Sequence, residues 1–239
     1  MHLVKVFNVK HHDDRVMSLV TERPQSFRFK NGEFAMIGLY SEKYQRDIFR
    51  AYSIVSTNYE DFLEFLSIKI EDGPFTSMLK DIKPGDEIML KPKTTGTLVI
   101  DYLTPKTNLF LLATGTGVAP FMSIIRDHET YSRFQNVWLY HTVRYKSERA
   151  YHDMLDQCMA ENPQFTYIDS VTREPHCRPE RFWTYLAQQG TLHPERDAIL
   201  VCGSPALNVE TREKLNALGF QEGNTGEMGD YLVERAFVD

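Results

Sequence analysis

The sequence predicts two domains, a small antiparallel β-barrel followed by an α/β domain built on a parallel sheet. Three observations carry the prediction. The first hundred residues run as short alternating or apolar stretches punctuated by polar turns, the pattern of an antiparallel barrel. After Asp101, short apolar stretches alternate with helical periodicity, the rhythm of βαβ units. Pro105 and a cluster of polar residues lie between the two patterns, which puts the boundary within 101–106 and the domains at 1–101 and 102–239.

In the first domain, strands are predicted at 3–9, 33–39, 50–56, 62–70 and 87–90. Lys83-Pro84-Gly85-Asp86 is a turn before the last of these, with proline and glycine at its central positions. One short helix is predicted over 75–80, after Gly73-Pro74. In the second domain, apolar strands are predicted at 108–113, 136–142, 164–171 and 198–202, with helices over 117–127, 147–160 and 181–189. Ser204-Pro205 is an N-cap followed by an N1 proline, and that helix runs to Gly219. A final short strand is expected over 229–238.

The 239 residues, 42% apolar and 25% charged, are enough to form a substantial core without staples. A net charge of −6 argues against a general nucleic-acid binder. There is no apolar run of 18 residues, and His11, His12, Asp13 and Asp14 stand where a signal peptide needs its apolar region. The expectation is a cytoplasmic monomer with no integral membrane segment. Cys158, Cys177 and Cys202 fit neither a C-x-x-C motif nor a zinc ribbon, and three cysteines cannot supply four ligands to a [2Fe–2S] cluster. They read as free thiols in a reducing cytosol, with no metal site expected.

Arg50-Ala51-Tyr52-Ser53 is the most informative stretch. A guanidinium pairs with phosphate, a tyrosine ring offers a stacking face, and a serine hydroxyl bonds a ring nitrogen. On a strand Arg50 and Tyr52 share one side, an arrangement that can hold a flavin by phosphate and ring together. A barrel strand with a polar face would carry the same motif. In Asp72-Gly73-Pro74-Phe75-Thr76-Ser77, Gly73 permits close backbone approach, and Thr76 and Ser77 add hydroxyls at a helix start suited to a phosphate. An ordinary capped helix after a glycine turn reads the same way.

Thr114-Gly115-Thr116-Gly117-Val118-Ala119-Pro120 joins the first strand of the second domain to its first helix, where doubly wound sheets bind ligands. Gly115 and Gly117 let the backbone approach a phosphate, but Pro120 replaces the third glycine of the usual fingerprint. Arg144 and Arg173, in Thr172-Arg173-Glu174-Pro175, leave the same sheet edge, with Arg178 and Arg181 shortly after. Such a cluster favours NADP(H) over NAD(H), although pairing with Glu148, Glu174 or Glu180 would equally explain any one arginine. Cys202-Gly203-Ser204-Pro205 ends another strand at this edge, and Cys202 either faces a nicotinamide or fills a small core position.

Taken in order, these segments and the ending Glu234-Arg235-Ala236-Phe237-Val238 resemble the ferredoxin–NADP(+) reductase family, specifically its bacterial branch, over nearly the whole chain. The resemblance implies an antiparallel β-barrel holding FAD and a Rossmann-like parallel-sheet domain holding NADP(H). It implies that Arg50 pairs with the FAD pyrophosphate, Tyr52 packs on the isoalloxazine, and Ser53 bonds near flavin N5. Ser67, Ile68, Lys69 and Ile70 would line the flavin, with Ala51, Gly73 and Thr76 at the same cofactor. Ala236 would lie against the isoalloxazine and Phe237 on the FAD adenine. Thr114, Gly115, Thr116, Gly117, Thr172, Gly203 and Ser204 would contact NADP, and Arg144, Arg173 and Arg181 its 2′-phosphate. Ser53, Tyr52 and Cys202 would be the catalytic set. Plant-type relatives end in an aromatic residue over the flavin, whereas here small Ala236 stands at the matching place and the chain runs on.

The activity so implied is electron transfer between NADP(H) and ferredoxin or flavodoxin, by hydride transfer at flavin N5 and one-electron steps. A reductase component of an oxygenase or a free-flavin reductase would use the same scaffold, and a flavin-binding regulatory protein is the non-enzymatic alternative. Ferredoxins are acidic, so a locally basic docking face is expected, with Lys43, Arg46 and Lys69 as candidates.

Overall fold

The structure is a computed structural model that describes residues 1–70 and 72–235. Six strands form the first sheet: β1 (His2–His11), β2 (Val16–Glu22), β3 (Phe34–Ser41), β4 (Arg46–Ser53), β5 (Phe62–Ile68) and β6 (Glu87–Thr95). Their order is β4-β3-β6-β1-β2-β5, and the paired strands are antiparallel. Just beyond β4, Ile54 bridges Phe65 and the Val55 amide donates to the Glu64 carbonyl, so the two edge strands meet and the sheet closes on itself. The expected barrel is therefore present. Its interior is the alternating face: Val4 and Val6, Ala35 and Ile37, Leu63 and Phe65 are all buried.

Three local expectations for this half change. Strand β2, not anticipated, sits between β1 and β5. The polar stretch before Arg50 belongs to a β3–β4 hairpin, with Ser41 opposite Arg46, so β4 starts four residues early and ends at Ser53. The short helix α1 is only Thr76–Leu79, and Phe75 at its start offers no side-chain cap. The 83–86 turn stands as expected: the Asp86 amide donates to the Lys83 carbonyl and Gly85 has φ +100°.

The second sheet is parallel throughout, ordered β11-β10-β7-β8-β9. Its elements are β7 (Asn108–Thr114), α2 (Ala119–Ile125), α3 (His128–Arg133), β8 (Asn136–Val143), α4 (His152–Glu161), β9 (Phe165–Val171), α5 (Phe182–Gln189), β10 (Asp197–Gly203), α6 (Pro205–Ala217) and β11 (Tyr231–Arg235). The strand order reverses between β7 and β10, the topological switch point at which such sheets bind ligands. The near-continuous apolar runs of β7 and β10 follow from their central places, since both faces are covered. Ser204 caps α6 by accepting from the Leu207 amide, and Gly219, at φ +87°, follows its C-terminus.

Two predicted helices are broken. The 117–127 helix begins as a 3₁₀ turn, Gly115–Val118, and ends at Ile125; Asp127 then caps the unforeseen α3 by accepting from the Glu129 amide. The 147–160 helix is a 3₁₀ turn over Lys146–Glu148 followed by α4. Tyr151 interrupts it in the left-handed region at φ +64°, and its hydroxyl donates across the domain seam to Glu64 at 2.8 Å. The seam is also held by Arg126, which bonds Glu60 at 3.0 Å and the Val55 carbonyl at 2.6 Å, and by Asn31 donating to Asp127 at 2.6 Å.

Candidate functional site

Strand β4 carries Arg50, Ala51, Tyr52 and Ser53 to the seam, where they line one cleft with Leu66, Ser67 and Ile68 of β5, with Ile70 and Thr76, and with Thr116, Ala119 and Cys202 of the second half. Residues some 150 positions apart in sequence are thus brought to one wall. The Ser67 hydroxyl donates to the Ile68 carbonyl at 3.0 Å, so the Tyr52 phenol is the donor in its own 3.0 Å bond to Ser67. The Phe75 ring leans on Tyr52 at 5.8 Å. Ring position is therefore set from two sides. Arg50 donates to the Phe49 carbonyl at 3.0 Å.

Around Gly73 the structure gives a reason the sequence did not. A side chain there would come within 2.3 Å of Thr76 Oγ1, and that hydroxyl donates to the Ile70 carbonyl at 3.0 Å. The glycine is required by the turn itself. Lys69 does not line the cleft: its ammonium donates to the Asp13 carbonyl at 2.7 Å, tying β5 to the β1–β2 loop. Of the basic residues considered for docking, Lys43 and Arg46 are exposed at the β3–β4 hairpin. Ala236 and Phe237 lie outside the described residues.

A second groove, about 420 Å³, opens along the carboxyl ends of the parallel strands. It gathers Thr114, Gly115, Thr116, Arg144, Thr172, Arg181 and Ser204 from four separate loops. It adjoins the first cleft, since Ile68 and Thr116 line both. Arg173 is exposed and its amide donates to the Arg144 carbonyl, but it does not line this groove. Gly117 and Gly203 are buried beneath it. A side chain at Gly117 would meet the Cys202 carbonyl at 2.2 Å, and one at Gly203 would meet Thr114 Oγ1 at 2.3 Å. These two glycines let the β7 and β10 loops touch, and the Ser204 amide donates to that same Thr114 hydroxyl at 2.8 Å. Gly115 differs: it is left-handed at φ +54°, with open space where a side chain would be.

Arg144 is held by Glu148, a 5% exposed carboxylate that accepts from its guanidinium at 2.6 and 3.2 Å and from its amide at 3.0 Å. The pairing weighed from sequence is real, and the guanidinium still borders the groove. Sequence reasoning missed Arg15, Phe182 and Trp183, which also line it. Arg15 comes from the β1–β2 loop, far from any motif, so no local signal could have found it.

Cys202 is 2% exposed, packed in the hydrophobic core at the seam, and also borders the cleft. Burial, with the nearby Glu234 carboxylate, pushes its thiol well above the ordinary range, which keeps it protonated. Glu234, opposite Cys202 in the β10–β11 pairing, was passed over in the sequence. Burial raises its pKa to about 7 against the opposing effect of the Thr97 amide and hydroxyl and the Leu98 amide, and its Oε1 is buried with no partner among the described residues. Its signal was present in the quoted C-terminal motif, a lone acid in an apolar strand. Among the described residues no cluster of three or more His, Cys, Asp or Glu is placed to hold a metal ion.

A closed antiparallel barrel joined to a doubly wound sheet, with adjoining clefts across the seam, defines a two-domain oxidoreductase of the flavin and pyridine-nucleotide class. Residues 2–98 match the family model of the oxidoreductase FAD-binding domain, and 111–213 that of the oxidoreductase NAD-binding domain. The chain is 44% identical to the ferredoxin–NADP reductase of Pseudomonas aeruginosa, over all of this chain and 98% of that protein. It is 41% identical to the flavodoxin/ferredoxin–NADP reductase of Rhodobacter capsulatus, over 98% and 92%. A ferredoxin NADP+ reductase of Neisseria gonorrhoeae, solved with FAD and NADP bound, superposes with a TM-score of 0.90 at 31% identity, over 99% of this chain and 98% of that one. The flavohemoglobin of Malassezia yamatoensis, at 15% identity and a TM-score of 0.81, shares the fold alone. The chain belongs to the ferredoxin–NADP reductase family.

Proposed function

We propose that this protein passes electrons between NADP(H) and a ferredoxin or flavodoxin, with FAD in the seam cleft. The observation that carries the reading is the adjacency of the two clefts at Ile68 and Thr116, the requirement for exchange between a group in one and a group in the other. The residues present fit an anionic flavin: among the described residues lining the cleft there is one arginine, Arg50, and no acid. FAD, when bound, supplies the conversion between a two-electron donor and one-electron carriers.

The protein's own side chains bind and orient. Arg50 neutralises pyrophosphate charge, and Tyr52, fixed by Ser67 and Phe75, presents a flat face. Ser53, at the end of β4, offers the hydroxyl closest in sequence to that ring. Cys202, protonated and buried, excludes water from the cleft floor and takes no part as a thiolate. In the groove, Arg144 and Arg181 receive a 2′-phosphate, while Thr114 and Ser204 fix the backbone around it. We place the domain boundary at 101–102, just before the 3₁₀ turn Ile100–Tyr102 ends. The working unit is taken as a monomer, because one chain supplies both walls of the cleft. Three free cysteines suit a reducing cytoplasm. No helix among the described residues is long and apolar enough to cross a membrane.

The test is steady-state reduction of a ferredoxin and of a flavodoxin by NADPH with the FAD-loaded protein. Rapid reduction of at least one carrier with NADPH, and much slower reduction with NADH, is expected. A yellow, FAD-loaded protein that reduces dyes but neither carrier would overturn the assignment of partner.

A further inference from the structure

The carbonyl of Gly115 has a partner from the neighbouring strand. His141, near the end of β8 and 0% exposed, places Nε2 2.8 Å from that oxygen. A carbonyl oxygen only accepts, so Nε2 carries the hydrogen. Burial lowers the ring's pKa to about 4, so at neutral pH it is uncharged and has a single N–H. Nδ1 is then a bare lone pair, in keeping with its having no hydrogen-bond partner among the described residues. The tautomer follows from the neighbours alone.

The geometry of the peptide unit gives this bond a consequence. In a planar trans peptide the carbonyl and the following N–H point in opposite directions. Gly115 is in the left-handed region at φ +54° and opens the 3₁₀ turn Gly115–Val118. When His141 draws the Gly115 carbonyl toward the buried interior, the Thr116 N–H is turned away from it. Thr116 lines both the seam cleft and the groove. On the far side the loop is fixed by a different contact, the Thr114 hydroxyl accepting from Ser204. The His141 bond adds to the 3₁₀ turn in holding this peptide plane, at a residue whose backbone has the widest conformational freedom.

We propose that His141 is a positioning residue for the dinucleotide: its Nε2–H holds the Gly115 carbonyl and so aims the Thr116 amide at the pyrophosphate common to NADPH and NADH. This rests on the reading of residues 114–116 as dinucleotide contacts. It differs from the part given to Arg144, because a pyrophosphate contact cannot distinguish the two cofactors.

The experiment compares His141→Leu, His141→Asn and His141→Gln in the FAD-loaded protein. Glutamine can put an amide N–H where Nε2 stood, whereas asparagine falls short and leucine has none. Expected for Leu and Asn is a rise in KM for NADPH and for NADH by the same factor, about five- to tenfold, the loss of one net hydrogen bond. Turnover at saturating NADPH and the preference between cofactors stay within twofold, and Gln restores the KM. Calorimetric binding provides a readout apart from turnover: NADP+ binds the Leu and Asn variants more weakly by that factor, while adenosine 2′-phosphate, which has no pyrophosphate, binds as to the wild type. If the Leu variant does not accumulate as folded protein, the Asn and Gln pair decides. Unchanged KM in Asn, or Gln no better than Asn, overturns the proposal. So does a loss of thermal stability and flavin content with no change in KM, which would mark a purely structural residue. Should adenosine 2′-phosphate fail to compete with NADPH in the wild-type protein, the groove reading falls too, and His141's part with it.

Discussion

In the antiparallel half, the cleft is lined by side chains that a strand delivers at regular intervals: Arg50, Tyr52 and Ser53 from β4, Ser67 from β5. In the parallel half, the groove combines side chains such as Arg144 and Arg181 with close-packed backbone at the loops where β7 and β10 end, and the nearby side chains of Thr114 and His141 hold that backbone in place. The difference teaches where each half is vulnerable. A strand's backbone is already fixed by its ladder, so a changed side chain alters chemistry and leaves the fold. A loop packed glycine against carbonyl has no such reserve.

The sharpest break of that comparison is Gly117→Ala. Its new methyl would lie 2.2 Å from the Cys202 carbonyl, a backbone atom that cannot rotate away. We expect a loss of about 3 kcal/mol in stability, read from the denaturant midpoint, and weakened NADP+ binding. Gly115→Ala, facing open space, should show only the strain of its left-handed backbone, about 1 kcal/mol. Equal losses at the two glycines would dissolve the distinction.

Next comes Glu234, where the two halves meet: β11 carries it and Thr97 of the barrel side bonds it. Its native pKa of about 7 lies above the ordinary 4.5. The folded protein therefore keeps a proton that the unfolded chain has released, and stability falls as pH rises through the window between those two values. The full effect is of the order of 3 kcal/mol. Glu234→Gln should flatten that slope and be the more stable protein above neutral pH, with little difference in acid. Parallel pH curves for the two proteins would refute the assignment.

Arg144→Ala tests a side chain of the groove. Removing a charged hydrogen bond to a 2′-phosphate should raise the KM for NADPH about 30-fold and spare NADH. Equal losses for both cofactors would sink the assignment. The smallest effect is expected at Tyr52→Phe, which loses its bond to Ser67, whose hydroxyl keeps the Ile68 carbonyl. A drop of about 1 kcal/mol in stability is expected, with the flavin absorbance bands shifted but the protein still yellow.

Much of this was legible before the structure. Alternation at residues 50–53 and the Thr114–Pro120 junction depend on short-range chemistry, and both emerge at clefts. What was misread also has physical causes. Contacts with Thr76, the Cys202 carbonyl and Thr114, the last two of them long-range, give Gly73, Gly117 and Gly203 a packing reason that the sequence does not carry. The predicted helix over 147–160 failed because Tyr151 gains a buried bond to Glu64, 87 positions away, by leaving helical geometry.

By itself, then, the sequence determined the succession of an antiparallel and a βαβ half, most of their strands and the glycine turn at the switch point, because periodicity and turn chemistry act over a few residues. Only the tertiary structure decided which groups share a wall. Arg15, Glu148, His141 and Glu234 take their parts from neighbours that folding brings near, and from burial, which sets the protons on His141, Cys202 and Glu234. Desolvation is a property of the packed molecule, and no local pattern of residues carries it.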